Sequence, residues 1–185
     1  MFIQDLFEPI VAKVSEKLLP SLTQFDPTIT AVHYDYGHPI EIIETLSEKS
    51  QADEFIYQKY PLVALFLDAK LQRGRKPGVY GKFWLHMAII RGTDPFYKAK
   101  QRDENNFKPV LMPIYLELMN QIWMSGYFNV PSLNLIPHDP INRYYWGKQG
   151  LYGNEGNVFN DHVDCIELLN LELELSINYC PKQAI

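Results

Sequence analysis

The side chains of this chain that could do chemistry are few, and they are spread along its length. His138-Asp139 and Asp161-His162-Val163-Asp164 bring imidazole and carboxylate groups close in sequence, the donor types that bind transition metals. Their spacing matches no zinc or oxygenase motif. Asp139 precedes a proline and Asp161 precedes a strand, so turn and cap duties account for both. His33, His38 and His86 are scattered, and His86 falls on the same strand face as Trp84, where a satisfied or interface histidine is the simpler reading. A nucleophile needs its base alongside. Neither Cys165 nor Ser125 has a sequence feature that supplies one.

The glycines at 147, 150, 153 and 156 recur every third residue, but four triplets without proline cannot wind a collagen helix. They fit neither a P-loop nor a dinucleotide fingerprint, and read as a loop that visits positive φ. Positive charge concentrates at Lys70, Arg73, Arg75 and Lys76, with Lys98, Lys100 and Arg102 on the following connection. These read either as two solvated loop tips or as a docking tip for an acidic neighbour or a phosphate. Arg143-Tyr144-Tyr145-Trp146 carries the residue types enriched at interface hot spots, within a glycine-rich stretch. Packing of that loop on its own sheet is the alternative.

The elements that would position these groups follow from periodicity. Ile3, Leu6, Phe7, Ile10, Val14 and Leu18 are spaced as one face of a helix over residues 3–19, with Pro20 as its expected end. Thr28–Tyr36 is rich in β-formers and is expected as a strand stopped by Gly37, and Ile40–Lys49 as a short helix carrying Ile42, Ile43 and Leu46. Pro61–Leu67 is a continuous apolar run of the kind found in a strand covered on both faces. A turn at residues 73–78 leads into a long strand, Val79–Ile90. Val79, Phe83, Leu85, Met87 and Ile89 form its apolar face, and Tyr80, Lys82, Trp84, His86 and Ala88 its mixed aromatic face. Residues 61–90 are therefore expected as a hairpin with a basic tip.

Phe107, Val110, Leu111, Ile114, Tyr115, Leu118 and Ile122 trace the stripe of a long covering helix. Pro109 and Pro113 predict an irregular start, and Gly126 a stop. From residue 127 to 164 no periodicity holds, and a long irregular excursion is expected there; such loops are usually functional. The chain then closes on Leu169–Asn178, whose odd positions through Ile177 are aliphatic and whose even positions are polar. The phase changes at Val163, Cys165, Ile166 and Leu168 just before it, which predicts either a bulge or the end of the pairing.

At 185 residues, 46% hydrophobic and 14% aromatic, the chain is expected as one α+β domain over 1–185. Its antiparallel or mixed sheet is covered by the N-terminal helix and the long helix. A net charge of -5 argues against a protein that wraps nucleic acid by neutralising phosphates. Two cysteines make no disulfide framework. The acidic start Met-Phe-Ile-Gln-Asp-Leu-Phe-Glu reads as no signal peptide, and apolar runs stay well below the ~20 residues of a membrane helix.

The segments Tyr60–Asp68, the basic turn with Val79–Ile90, and Phe107–Tyr115 together resemble small virion proteins of tailed bacteriophages. Asn142–Gly147, Asn157–Asp161 and Asp164–Leu168 extend the likeness. The order helix, strand, hairpin, long helix, final strand is similar to the tail-terminator and tail-completion family of the head–tail junction. That resemblance implies a compact α+β domain, assembled in the host cytoplasm into a homo-hexameric ring in the virion. The ring would end tail-tube polymerisation and dock the tail to neck or portal proteins, with DNA passing through its lumen unread. It implies no cofactor, no metal, no membrane and no enzymatic turnover. A head-to-tail ring needs two different faces per subunit. The expected ones are Tyr80, Trp84 and His86 with the tip Arg73, Arg75 and Lys76, and the loop Arg143, Tyr144, Tyr145 and Trp146. The alternatives are a neck protein sealing the portal, and a small enzyme or ligand-binding module built on 127–164.

Overall fold

A computed structural model describes residues 2–51, 58–73, 79–144 and 161–176. Helix α1 (Ile3–Phe25) opens the chain, followed by strand β1 (His33–Gly37), helix α2 (Pro39–Gln51), and strands β2 (Leu62–Arg73) and β3 (Val79–Gly92). A 26-residue helix, α3, comes next. It is α-helical over Ala99–Arg102, π-helical over Asp103–Leu111 and α-helical again over Met112–Met124. A single 3₁₀ turn (Leu133–Leu135), strand β4 (Asp139–Arg143) and strand β5 (Val163–Ser176) complete the described chain.

The five described strands form one mixed sheet in the order β1-β2-β3-β5-β4. β1 runs parallel to β2, and every other neighbour is antiparallel. The expected α+β class with two covering helices is what the chain adopts. Alternation decides the faces. Val63, Leu65, Phe83, Leu85, Met87, Ile89, Ile166, Leu168, Leu171, Leu173 and Leu175 point to one side, where α1 and α3 lay Phe7, Ile10, Val14, Val110, Ile114 and Leu118 over them. On the other side Leu62, Ala64, Phe66, Ala88, Ile90, Val163 and Cys165 pack under Ile42 and Leu46 of α2. The apolar run at the start of β2 is thus covered twice, as its composition predicts.

Several expectations need correction. α1 does not stop at Pro20; it contains both Pro9 and Pro20 and runs to Phe25, because Leu22, two residues further on, is sealed in the core. Burial there offsets the hydrogen bond that proline cannot donate. β1 is shorter than Thr28–Tyr36 and starts only where its register with Leu62 begins. The irregular start predicted for the covering helix takes the form of the π segment. Pro109 lies inside it, and the Met112 N–H reaches back to the Phe107 carbonyl. The wider turn relieves the clash between a proline ring and the preceding carbonyl.

The excursion at 127–164 is not wholly irregular. Phe128 bridges Leu175, β4 lies inside it, and β5 begins at Val163. In β5 the alternation holds for Leu171, Leu173 and Leu175, and the phase change is a bulge at Asn170, whose φ of 53° is the left-handed conformation asparagine tolerates. Ile177 and Asn178, the side chain of Val79, the turn residues 74–78 and the glycines from 147 to 156 lie outside the described residues.

Candidate functional site

α2 covers only part of its side of the sheet. Beyond it the β2–β3 hairpin and β5 continue, and this half of the face carries Lys70, Lys82, Trp84, His86, Glu167 and Glu172. Strand register puts them together: Lys70 is opposite Trp84, Trp84 opposite Glu172, and Ala88 opposite Glu167. The Trp84 indole N–H donates to the Glu172 carboxylate at 3.1 Å. The ammonium groups of Lys70 and Lys82 sit 5.2 and 5.1 Å from its ring, within cation–π range. Lys82 also pairs with Glu172. The Trp84 ring is thereby fixed on a strand by three charged neighbours rather than left as a mobile surface aromatic.

His86 extends the same surface toward α2. Its ring packs at a tilt against Phe66, centroids 4.5 Å apart, and its Nε2 meets Glu167 at 2.9 Å. The Glu167 side chain is only 1% exposed, and its second oxygen accepts from Arg143 Nε on β4. A carboxylate this buried requires partners, and it finds them on both flanking strands. Between the hairpin and the β5 bulge lies an open depression of about 410 Å³, lined by Lys70, Trp84, Leu85, His86, Leu169 and Asn170. Leu169, expected on the dry face, reaches this depression because the bulge shifts it.

The expected site residues therefore divide. Trp84, His86 and Arg143 converge through Glu167 and Glu172. Tyr80, 48% exposed, and Arg73 sit nearer the hairpin tip, Tyr80 at a bulge in β3. Tyr144 turns to α3 instead: its hydroxyl donates to Asp103 at 2.9 Å and its ring meets Phe107 edge-on at 5.3 Å. The hydrogen bond to Asp103, then burial, raises its pKa. Arg75, Lys76, Tyr145 and Trp146 lie outside the described residues. Glu167 and Glu172, which organise the surface, drew no attention in the sequence; their register opposite Ala88 and Trp84 was the signal available.

The candidate metal groups do not converge. His138 bonds the Tyr115 hydroxyl and the Ile136 carbonyl, Asp139 accepts from Asn170, and Asp161 pairs with Lys59 and Tyr60. Asp164, fully buried, is clasped by Arg102 at 2.6 Å and Asn106 at 2.7 Å. Among the described residues no three His, Cys, Asp or Glu side chains are placed to share a cation. Arg102 is thus no solvated loop cation: it is 1% exposed, and its remaining donors go to Thr93 Oγ1 and the Tyr97 and Asp94 carbonyls. Cys165 is buried, with its thiol pKa pushed well up by desolvation. The Ser125 hydroxyl caps α3 on the Ile122 carbonyl. Among the described residues no helix is long and apolar enough to cross a membrane. No protein-family model matches the chain, and no curated protein matches its sequence.

Proposed function

We propose that this chain is a virion structural protein. It would form a ring at the head-proximal end of a phage tail, where it ends tail-tube polymerisation and docks the tail to the head. The observation that carries this reading is the half-sheet beyond α2. A rigid β2–β3–β5 surface presents Trp84, His86, Lys70 and Lys82, each held by a neighbouring strand. Aromatic and cationic anchors pre-set in this way are what a protein–protein contact uses. The described elements also contain the sequence helix, strand, hairpin, long helix, final strand that the resemblance calls for, with α2 and β4 inserted into it.

Ring closure requires one face of a subunit to meet a different face of the next. The Trp84 surface supplies one. A net charge of -5 suits a lumen along which DNA slides without sticking. The work is geometric: capping a tube and offering a surface to the head. The partners are further copies of the chain, six in the expected ring, with tail-tube and neck or portal proteins.

The test is deletion of the coding sequence from the phage or prophage that carries it, followed by electron microscopy of the lysate. Overlong, unattached tails beside filled heads are expected. Tails of normal length with leaking or tailless heads would move the protein to the neck, and normal infectious particles would end the structural reading.

A further inference from the structure

β1 ends too early to cover its neighbour. Its register with β2 runs from His33 opposite Leu62 to Gly37 opposite Phe66, and β2 continues from Leu67 to Arg73. At Gly37 the chain leaves the sheet for α2, and among the described residues no strand pairs with the outer side of Leu67–Arg73. Every second residue of such a strand aims both its N–H and its C=O outward, so this stretch presents unpaired donors and acceptors. Its side chains are apolar where an edge is normally polar: Leu67 is 45% exposed and Leu71 41%. Leu71 stands opposite Phe83, on the helix-covered face, and Ala69 packs half-buried against that same core. Gly81 leaves Leu71 its seat, since a Cβ there would come within 2.8 Å of the leucine Cδ1. The apolar layer thus runs out to the rim without being closed.

The other face of the rim is cationic. Lys70, opposite Trp84, holds its ammonium 5.2 Å from that ring, and neither it nor Arg73 has a carboxylate partner among the described residues. In the sequence from 68 to 76, Lys70, Arg73, Arg75 and Lys76 stand against the single acid Asp68, within a chain of net charge -5. A strand laid along β2 would place its alternate side chains on the two faces. On the helix side they would meet Leu71 and extend the core. On the other they would face Lys70 at the separation of directly opposed residues, about 4.5–5.5 Å between Cβ atoms. Apolar side chains fit the first position and carboxylates the second. Two copies of this edge would instead set cations against cations, a device by which edges avoid pairing with themselves, whereas an acidic strand gains from the same charges. We propose that the outer edge of β2 binds an extended segment of a partner protein, one in which apolar residues alternate with Asp or Glu, as an added strand of the sheet. Main-chain pairing with Leu67–Arg73 gives the affinity, and Leu71 and Lys70 read the alternation. This site goes beyond the ring reading and stands whether or not the Trp84 surface closes a ring.

The probe is the capped peptide acetyl-Thr-Glu-Val-Glu-Val-Glu-Thr-amide, titrated into the whole ¹⁵N-labelled chain and followed by NMR. Saturable shifts over Leu67–Arg73 are expected, with Kd of roughly 0.1–1 mM, together with slower hydrogen exchange at alternate amides there. Acetyl-Thr-Val-Glu-Glu-Glu-Val-Thr-amide keeps the composition and charge but loses the alternation, and should bind roughly fivefold more weakly. In Lys70→Glu the alternating Glu peptide should weaken roughly tenfold, while acetyl-Thr-Lys-Val-Lys-Val-Lys-Thr-amide should gain affinity, a reversal that a loss of fold could not produce. Absence of saturable shifts at Leu67–Arg73 overturns the proposal. So does equal binding of the two Glu peptides, which would reduce the edge to a general anion patch. Protection of the same amides that grows with the chain's own concentration, without peptide, also overturns it and gives the edge to a second copy. The wild-type comparison of the two Glu peptides decides the question even where Lys70→Glu fails to fold. Because binding is read on the isolated chain, it can fail or succeed independently of the phage deletion.

Discussion

Arg102→Met removes the cation from the most buried ion pair among the described residues. The Arg102 and Asp164 side chains are 1% and 0% exposed. Loss of the guanidinium leaves Asp164 facing the neutral donor Asn106 without its cation, and takes one donor each from the Tyr97 and Asp94 carbonyls. Removing one member of such a pair typically costs about 3–5 kcal/mol, because the surviving charge remains in a medium that cannot solvate it. A chain of this size loses roughly 2–4 °C of Tm per kcal/mol, so the melt should fall by about 6–20 °C. Urea unfolding should show the loss as a lower midpoint at unchanged slope. The double variant Arg102→Met/Asp164→Leu should regain much of it, since no charge is then stranded, and Asn106 keeps its bond to Thr93 Oγ1. A loss under about 1 kcal/mol in the single variant would refute this account, as would a double variant no more stable than the single one. Either result would mean that Asp164 finds solvent or another partner, and that the pair does not clamp α3 to β5.

The surface beyond α2 should behave oppositely. Trp84→Ala and Lys70→Glu should change stability by only about 1 kcal/mol, the scale of exposed cation–π contacts, while abolishing ring assembly in light scattering and failing to complement the deletion. Alkali should destabilise the fold, because burial chiefly raises the Tyr34, Tyr60 and Cys165 pKa values. Their contribution is complete below the unfolded values, about 8.5 for the thiol and 10 for the phenols, and is lost as pH rises beyond them. Urea midpoints should therefore decline steadily above about pH 8.5, less steeply in Tyr60→Phe, and a flat profile would contradict the assignment. Gly126, at φ 71° just past α3, should cost about 1 kcal/mol when changed to Ala, read as a lowered Tm.

What the sequence made legible was whatever burial writes as a period. The doubly covered start of β2, the two faces of β3 and the stripe of α3 all follow from apolar spacing, because each must seal one side of an element. β4 escaped for the converse reason. Asp139-Pro-Ile-Asn-Arg is five mostly exposed residues without alternation, and it is a strand because β5 pairs with it and Glu167 takes Arg143. Proline is tolerated on so short and exposed a strand. Arg102 escaped because a charge in sequence looks solvated until its partner is known, and Asp164 is 62 residues away. Pro20 misled because a local rule lost to the tertiary burial of Leu22.

The same strand links the legible core to the candidate surface. β5 buries Leu171 and Leu173 on one face and aims Glu172 at Trp84 from the other; further down it buries Ile166 and Leu168 while Glu167 holds His86 and Arg143. Any slip of β5 by one residue would expose the leucines and withdraw both carboxylates together. The free energy that fixes the core register therefore also fixes the rotamers of the half-buried Trp84 and His86, at no added ordering cost when a partner arrives. Glu167 and Glu172 are thereby committed to cations and an indole of their own chain, and the same contacts that hold β5 in register hold the proposed contact surface in shape.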